Sequence, residues 1–201
     1  MSLMTQVAPS TVPGTCEHPS LALVDTVHGR PDSGGHDELS SPETATAWLI
    51  DCGLVAPEVG LQEQCRSRLV RFRHDLRDLF VAQISMDVPS PKAIEALNRA
   101  LTSAPGALLL RFGHEVRFFR SVEHPMTQAV DHAMAIIAED AAALLTSADA
   151  SRIAACESDS CQQLFLRTHA RRQWCSNRCG DRVRAARAYA RRRAARNIDA
   201  T

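Results

Sequence analysis

The chain has 201 residues, 45% of them apolar and 23% charged, with 23 Lys+Arg offset by 23 Asp+Glu. That suits a globular protein of one medium domain, or one domain and a small appendage, which can bury a core without disulfide staples. No apolar run approaches the ~18 residues of a membrane span, and the first 28 residues carry no Lys or Arg and no apolar h-region, so neither a membrane partner nor a secretory signal is expected and a cytoplasmic location follows.

Residues 1–20 are polar and carry Pro9, Pro13, Gly14 and Pro19, the composition of a flexible leader. The apolar run Leu21 to Val27 predicts a strand or a buried first helical turn, followed by a turn-rich stretch from Gly29 to Gly35. Ser41-Pro42-Glu43 has the form of a helix start: an N-cap hydroxyl, proline at the first helical position and an acid at the positive end of the dipole. Trp48 and Leu49 then face inward, and Gly53 ends the helix. From Leu61 to Ile84, helical spacing gives Leu61, Cys65, Leu69, Phe72, Leu76, Leu79 and Phe80 to the core. Arg66, Arg68, Arg73, Asp75 and Asp78 fall to the opposite face. A third helix begins at Pro91, with Ile94, Leu97 and Leu101. Residues 106–112 and 116–119 predict strands around a Gly113-His114 turn, and a long helix follows from Pro125 to Leu145. The fold class is α+β. A leader (1–20) precedes a mixed helix and antiparallel-sheet domain (21–150), and a small cysteine-containing module ends the chain (151–201).

Four of the seven cysteines fall within 24 residues, as Cys156-x4-Cys161, thirteen residues, then Cys175-x3-Cys179. Two close pairs and a short spacer can set four thiolates tetrahedrally around one Zn²⁺. Paired disulfides would need an oxidising compartment, and neither spacing is the C-x-x-C of a redox motif. An iron–sulfur cluster also takes four cysteines. Zinc is the expected metal, and because four thiolates leave no open position for water, its role is structural. Between the pairs, Leu164-Phe165-Leu166 predicts a strand, and a turn and second strand through Arg171-Arg172-Gln173-Trp174 would complete a hairpin. Ser176 then caps a helix running to about Arg196. Knuckle, hairpin and a ligand pair at a helix start give a treble-clef-like finger.

These residues resemble the CGNR zinc-finger family: Cys156 and Cys161, Leu164-Phe165, the Arg171 to Ser176 run, and Cys179-Gly180-Asp181-Arg182. The resemblance implies that the four cysteines are zinc ligands. Family members pair this finger with an N-terminal ABATE domain, whose opening motif is similar to Leu21-Ala22-Leu23-Val24-Asp25-Thr26-Val27 here. It further implies a bacterial, stress-linked transcription regulator. Asp181 replaces the signature Asn, Arg167 stands where many members have Asp, and His28-Gly29 replaces Asn-Thr.

The net charge of zero conceals a strong asymmetry. Residues 167–201 hold eleven Arg and two Asp, which makes that segment +9 and the preceding residues −9. A basic segment of this kind points to a polyanion. On a helical wheel Val183, Ala186, Ala190 and Ala194 form a narrow stripe expected to dock on the finger, with Arg178, Arg182, Arg192, Arg193 and Arg196 on one flank and Arg184, Arg187 and Arg191 on the other. An α-helix fits the major groove of duplex DNA, so these arginines, with Arg171 and Arg172, are the candidate DNA contacts. The alternatives are an RNA-binding or protein-interaction adaptor that uses the finger as a docking surface, and a small-molecule-binding domain with a vestigial finger; the basic run itself could be a merely solvated face, or could dock on the acidic domain. No H-E-x-x-H, P-loop, G-x-G-x-x-G or G-x-S-x-G occurs, so no enzyme is expected. The N-terminal domain is expected to sense a small effector, with Asp25, His28, Arg30 and Trp48 as candidate contacts. Oligomeric state is left open.

Overall fold

The computed structural model describes residues 12–29, 34–103, 108–122 and 128–198. Helix α1 (Pro19–Val24) opens the fold, followed by the two-residue strands β1 (Val27–His28) and β2 (His36–Asp37), which pair antiparallel. The apolar run after Pro19 is therefore the buried helical turn, with Leu21 and Leu23 fully enclosed. Residues 12–20 fall in the segment with leader-like composition, yet they are docked. The Leu166 amide donates to the Pro13 carbonyl at 2.9 Å. Gly14, at φ +96°, lies so close to Leu166 that a Cβ would sit 2.9 Å from its Cγ. His18 Nδ1 meets Asp140 Oδ1 at 2.8 Å.

Helix α2 (Pro42–Asp51) begins as its sequence predicts. Ser41 Oγ accepts from the Thr44 amide at 3.3 Å and Thr44 Oγ1 accepts from the Ser41 amide at 3.1 Å, a reciprocal capping box. Gly53 ends it at φ +68°. Helix α3 (Glu63–Ser85) is the central element, packed by α1, α4 (Pro91–Ser103) and α5 (Ala129–Thr146). Leu69, Phe72, Leu76, Leu79 and Phe80 bury along it at the expected spacing. On α4 the buried residues are Ala93, Ala96, Leu97 and Ala100, while Ile94 stays largely exposed. Small residues there let the helices approach closely. Strands β3 (Leu108–Gly113) and β4 (Arg117–Val122) form the expected hairpin. A 3₁₀ turn at Ala148–Arg152 leads into β5 (Ile153–Ala155), then β6 (Leu164–Leu166) and α6 (Asn177–Ile198).

Two expectations are corrected. Arg73 is not on a solvated face. It is 3% exposed and clamps the β1–β2 region, donating to both carboxylate oxygens of Asp37 (2.6 and 2.9 Å) and to Thr26 Oγ1 (2.9 Å). The strand partner of Leu164–Leu166 is also different. It is Ile153–Ala155, upstream of the first cysteine, in register Ile153↔Leu166, Ala154↔Phe165 and Ala155↔Leu164. Residues 172–174 return to the knuckle through one bond, Glu157 amide to Gln173 carbonyl at 3.0 Å.

The β5–β6 ribbon has two buried faces. Ile153, Leu164 and Leu166 enter the helical core, whereas Ala154 and Phe165 alternate to the other side and join Cys156, Cys175 and Cys179. Successive strand side chains point to opposite faces, so one short ribbon serves two cores.

Burial alone would push the Asp37 carboxyl up, but the Arg73 guanidinium and the Leu39 amide outweigh it and hold the carboxyl below its ordinary range. A lowered folded value means the pair stabilises above the unfolded pKa and is lost as pH falls through the folded one. Asp37→Asn leaves the enclosed guanidinium without a counter-charge. It should cost about 3 kcal/mol in urea unfolding at pH 7, whereas Glu63→Gln at the exposed Arg66 pair should cost under about 1 kcal/mol.

Candidate metal centre and basic helix

Cys156 follows β5, and its amide donates to the Gln163 carbonyl at 3.0 Å. Cys161 closes a tight knuckle through its amide to the Ser158 carbonyl at 2.8 Å. Cys175 lies just ahead of α6, and Cys179 sits in its first turn, where the Cys179 amide donates to Ser176 Oγ at 3.3 Å. Ser176 is thus the cap that the sequence predicts.

The four sulfurs lie within 4.8 Å of one another. The Cys161–Cys175 and Cys175–Cys179 separations are both 3.7 Å. Zn–S bonds of about 2.3 Å in a tetrahedron give edges of about 3.8 Å, so the spacing fits a metal ion. It is far longer than a disulfide bond of about 2.05 Å, and all four cysteines are free. With only protons to balance the charge, hydrogen bonds from Cys161 and Cys175 hold the Cys156 thiol down to about 2, and the donor role pushes Cys161 up to about 12. A divalent cation would replace those protons and satisfy all four sulfurs at once.

The wall of the site is equally specific. A Cβ on Gly180 would stand 3.0 Å from Trp174 Cε3 and 3.1 Å from an Arg184 nitrogen, so glycine permits the indole to lie against the helix start. Arg184 stacks over Trp174 at 5.5 Å and pairs with Asp181 at 2.7 Å. Arg172 donates to the carbonyls of Trp174 (3.0 Å) and Cys175 (2.9 Å) and lies 5.7 Å over the Phe165 ring. Arg182 donates to Ser160 Oγ at 2.6 Å, which ties the helix to the knuckle. These three arginines brace the metal loop.

Arg171, Arg178, Arg187, Arg191, Arg192 and Arg193 are exposed and make no hydrogen bond or ion pair among the described residues. The stripe expected to dock does not: Val183 is half-buried, but Ala186 and Ala190 are exposed. Beyond its first turns α6 stands clear, presenting arginine on both flanks.

Polar bonds join the finger to the N-terminal domain. Asp25 Oδ1 accepts from the Leu164 amide at 2.7 Å. Gln163 Nε2 donates to the carbonyls of Asp25 (2.8 Å) and Val27 (3.2 Å). Arg77 donates to the Gln162 carbonyl at 2.7 Å, and Gln162 Nε2 donates to the Gly29 carbonyl at 3.2 Å. Asp25 thus serves as a joint between the two parts. Its burial pushes the carboxyl up to about 8. His28 pairs with Glu38 and stacks on His36 at 6.4 Å, and the Glu38 hydrogen bond raises its pKa. Trp48 packs partly buried against the core, and Arg30 lies outside the described residues. The sequence reading missed Arg77, Gln162 and Gln163 because nothing local marks a glutamine whose partners are over 130 positions away.

Residues 17–148 match the family described as ABATE, putative stress-induced transcription regulator. The chain belongs to the ABATE family. Residues 152–192 match the CGNR zinc finger, so the two matches meet at the 3₁₀ turn before β5. The ABATE match runs from the docked segment ahead of α1 to the end of α5. The CGNR match holds the four cysteines and most of α6. No curated protein matches the chain. Neither family description names an enzymatic activity, and among the described residues no helix is long and apolar enough to cross a membrane.

Purified protein should carry one zinc per chain by elemental analysis. Cys175→Ser should lose it, and Cys65→Ser, on the α3 stripe, should keep it. Asp25 supplies a pH test. A carboxyl raised to about 8 in the folded state favours folding when protonated, so its ionisation removes stability as pH rises from about 4 toward 8. Asp25→Asn should abolish that loss between pH 5 and 8 in thermal unfolding while the Leu164 amide keeps an acceptor.

Proposed function

We propose that this ABATE–CGNR protein is a zinc-dependent DNA-binding transcription regulator whose finger presents α6 to duplex DNA and whose N-terminal domain senses a small effector. One observation carries the DNA reading: six exposed arginines, without side-chain partners among the described residues, stand along and beside a helix that starts at the four-cysteine cluster. Among the described residues, Arg178 through Arg193 make no ion pair with the acidic N-terminal domain, which weakens the reading that the tail folds back on it.

Like charges at i,i+4, as in Arg178/Arg182 and Arg187/Arg191, destabilise a free helix. Phosphate removes that repulsion and releases counterions, so the same arginines that strain the free helix favour the bound one. Helical geometry suits the major groove. Within the finger, aromatic platforms for stacked single-stranded bases are sparse: Phe165 is buried, Trp174 is covered by Arg184, and Tyr189 is exposed on α6, whereas the exposed Phe112, Phe118 and Phe119 lie on the β3–β4 hairpin of the N-terminal domain. This favours duplex over single-stranded RNA.

No catalytic step is assigned. The Ser20, His18 and Asp140 cluster superficially resembles a hydrolase triad, but both Ser20 Oγ and His18 Nδ1 bond to the carboxylate. The histidine is therefore not placed between serine and acid, and the serine lacks its base.

Anisotropy with a random duplex of about 30 base pairs should show binding that falls steeply with salt. The triple change Arg187→Ala, Arg191→Ala and Arg192→Ala should shrink the slope of log K against log salt by about 2–3, with about one unit lost per phosphate contact. Zinc content should be unchanged. Wild-type affinity and slope in the triple variant would refute the assignment to α6, and tighter binding to single-stranded RNA than to duplex would favour the adaptor.

A further inference from the structure

Helices α3, α4 and α5 part at one end to leave a cleft of about 410 Å³. Leu79 and Leu97 are buried along it, and its apolar lining also includes Ile94, Met86, Ala142 and Leu145. The volume lies within the range of small-molecule sites, which are mostly apolar with a few polar groups that orient the ligand. Three polar residues line this one: Gln83, Asp87 and Thr146. The Thr146 hydroxyl already donates to the Ala142 carbonyl at 2.8 Å, which leaves the Gln83 amide and the Asp87 carboxylate to face an occupant. Asp87 is the one formal charge in the lining.

The opening is apolar as well. Met86 ends α3 in the left-handed region (φ 57°), and the link it starts leaves Met86 and Val88 85% and 94% exposed. Large apolar side chains held in water beside an apolar hollow mark an interaction site, and methionine adapts its shape to a ligand. The α5 wall, Leu145 and Thr146, is the last turn of that helix. The chain passes from there through the 3₁₀ turn and β5 to Cys156, so the cleft adjoins the segment that joins the helical domain to the metal centre.

We infer that this cleft binds a small amphiphile with an apolar body and a cationic or hydrogen-bond-donating head directed at Asp87. The inference rests on the reading of the N-terminal domain as the sensing part and locates its site away from Asp25, His28 and Trp48. It does not depend on DNA binding.

The test uses the zinc-loaded full chain and no nucleic acid, so its failure is distinguishable from failure of the DNA reading. The neutral fluorophore N-phenyl-1-naphthylamine should bind saturably at one site. Ala142→Trp, which fills the cleft, should weaken that binding at least tenfold with zinc content and melting temperature retained. Octylammonium should displace the probe at concentrations at least fivefold lower than octanoate does, and Asp87→Asn should erase that preference. The Asp87 variant decides the matter even if the tryptophan variant does not fold. No saturable probe binding, unchanged binding in a folded Ala142→Trp, or equal displacement by octanoate and octylammonium would each overturn the assignment.

Discussion

Strand alternation in the β5–β6 ribbon is the constraint on which the rest of the structure depends. Six residues form it, and five of their side chains go to two different interiors: Ile153, Leu164 and Leu166 to the helices, Ala154 and Phe165 to the metal centre, with Ala155 left exposed. A slip of one residue would exchange the two faces. It would place Phe165 among the helices and push leucines toward the sulfurs. The finger is therefore not a bead on a string. It shares a wall with the domain that precedes it, and a module too small to fold by burial draws both on a metal and on that wall.

The polar joint beside the ribbon reinforces this arrangement. Asp25 and Gln163 bond across it with partners that neither segment could supply alone. Buried polar groups must be paired or they cost stability, so Asp25 and Gln163 fix the orientation of the finger as well as its contact. The Leu166 amide bonded to Pro13 extends the same logic to the segment before α1. Only Gln162 and Gln163 separate the Cys161 ligand from β6, and both side chains bond carbonyls in or beside β1.

Arginine is used for two different purposes in the finger. Arg172 and Arg184 combine planar stacking with directed hydrogen bonds, Arg182 bonds Ser160, and together they hold Trp174, the knuckle and the loop before Cys175 in place. Lysine could not reproduce the forked, stacking geometry. Arg171, Arg178, Arg187, Arg191, Arg192 and Arg193 reach solvent, and among the described residues none pairs with the acidic domain, which preserves a strongly positive surface within a chain of zero net charge. Asp181, an acid in an otherwise basic helix, is accounted for by its pair with Arg184.

What was legible in the sequence was what is local. Ser41-Pro42 sets a helix start because its cap bonds lie within three residues. The cysteine spacings imply a metal because the ligand pairs sit on a tight knuckle and a helix turn, both short-range geometries. The α3 stripe follows from the 3.6-residue repeat, and the charge asymmetry from counting. Tertiary structure decided everything that depends on distant partners. Arg73 shares its helix with the exposed Arg71 and the half-buried Arg66, Arg68 and Arg77, and its full burial is matched by Asp37, 36 positions away, which neutralises it. Ile153-Ala154-Ala155 is too short and too alanine-rich to announce a strand, and it becomes one because Leu164–Leu166 offers it a partner. Whether a given arginine of the finger braces the loop or faces solvent depends on where Trp174, Ser160 and Phe165 come to rest. Local spacing fixes which atoms can form a helix, a cap or a ligand pair. Burial and counter-charge come from residues that only the folded chain brings together.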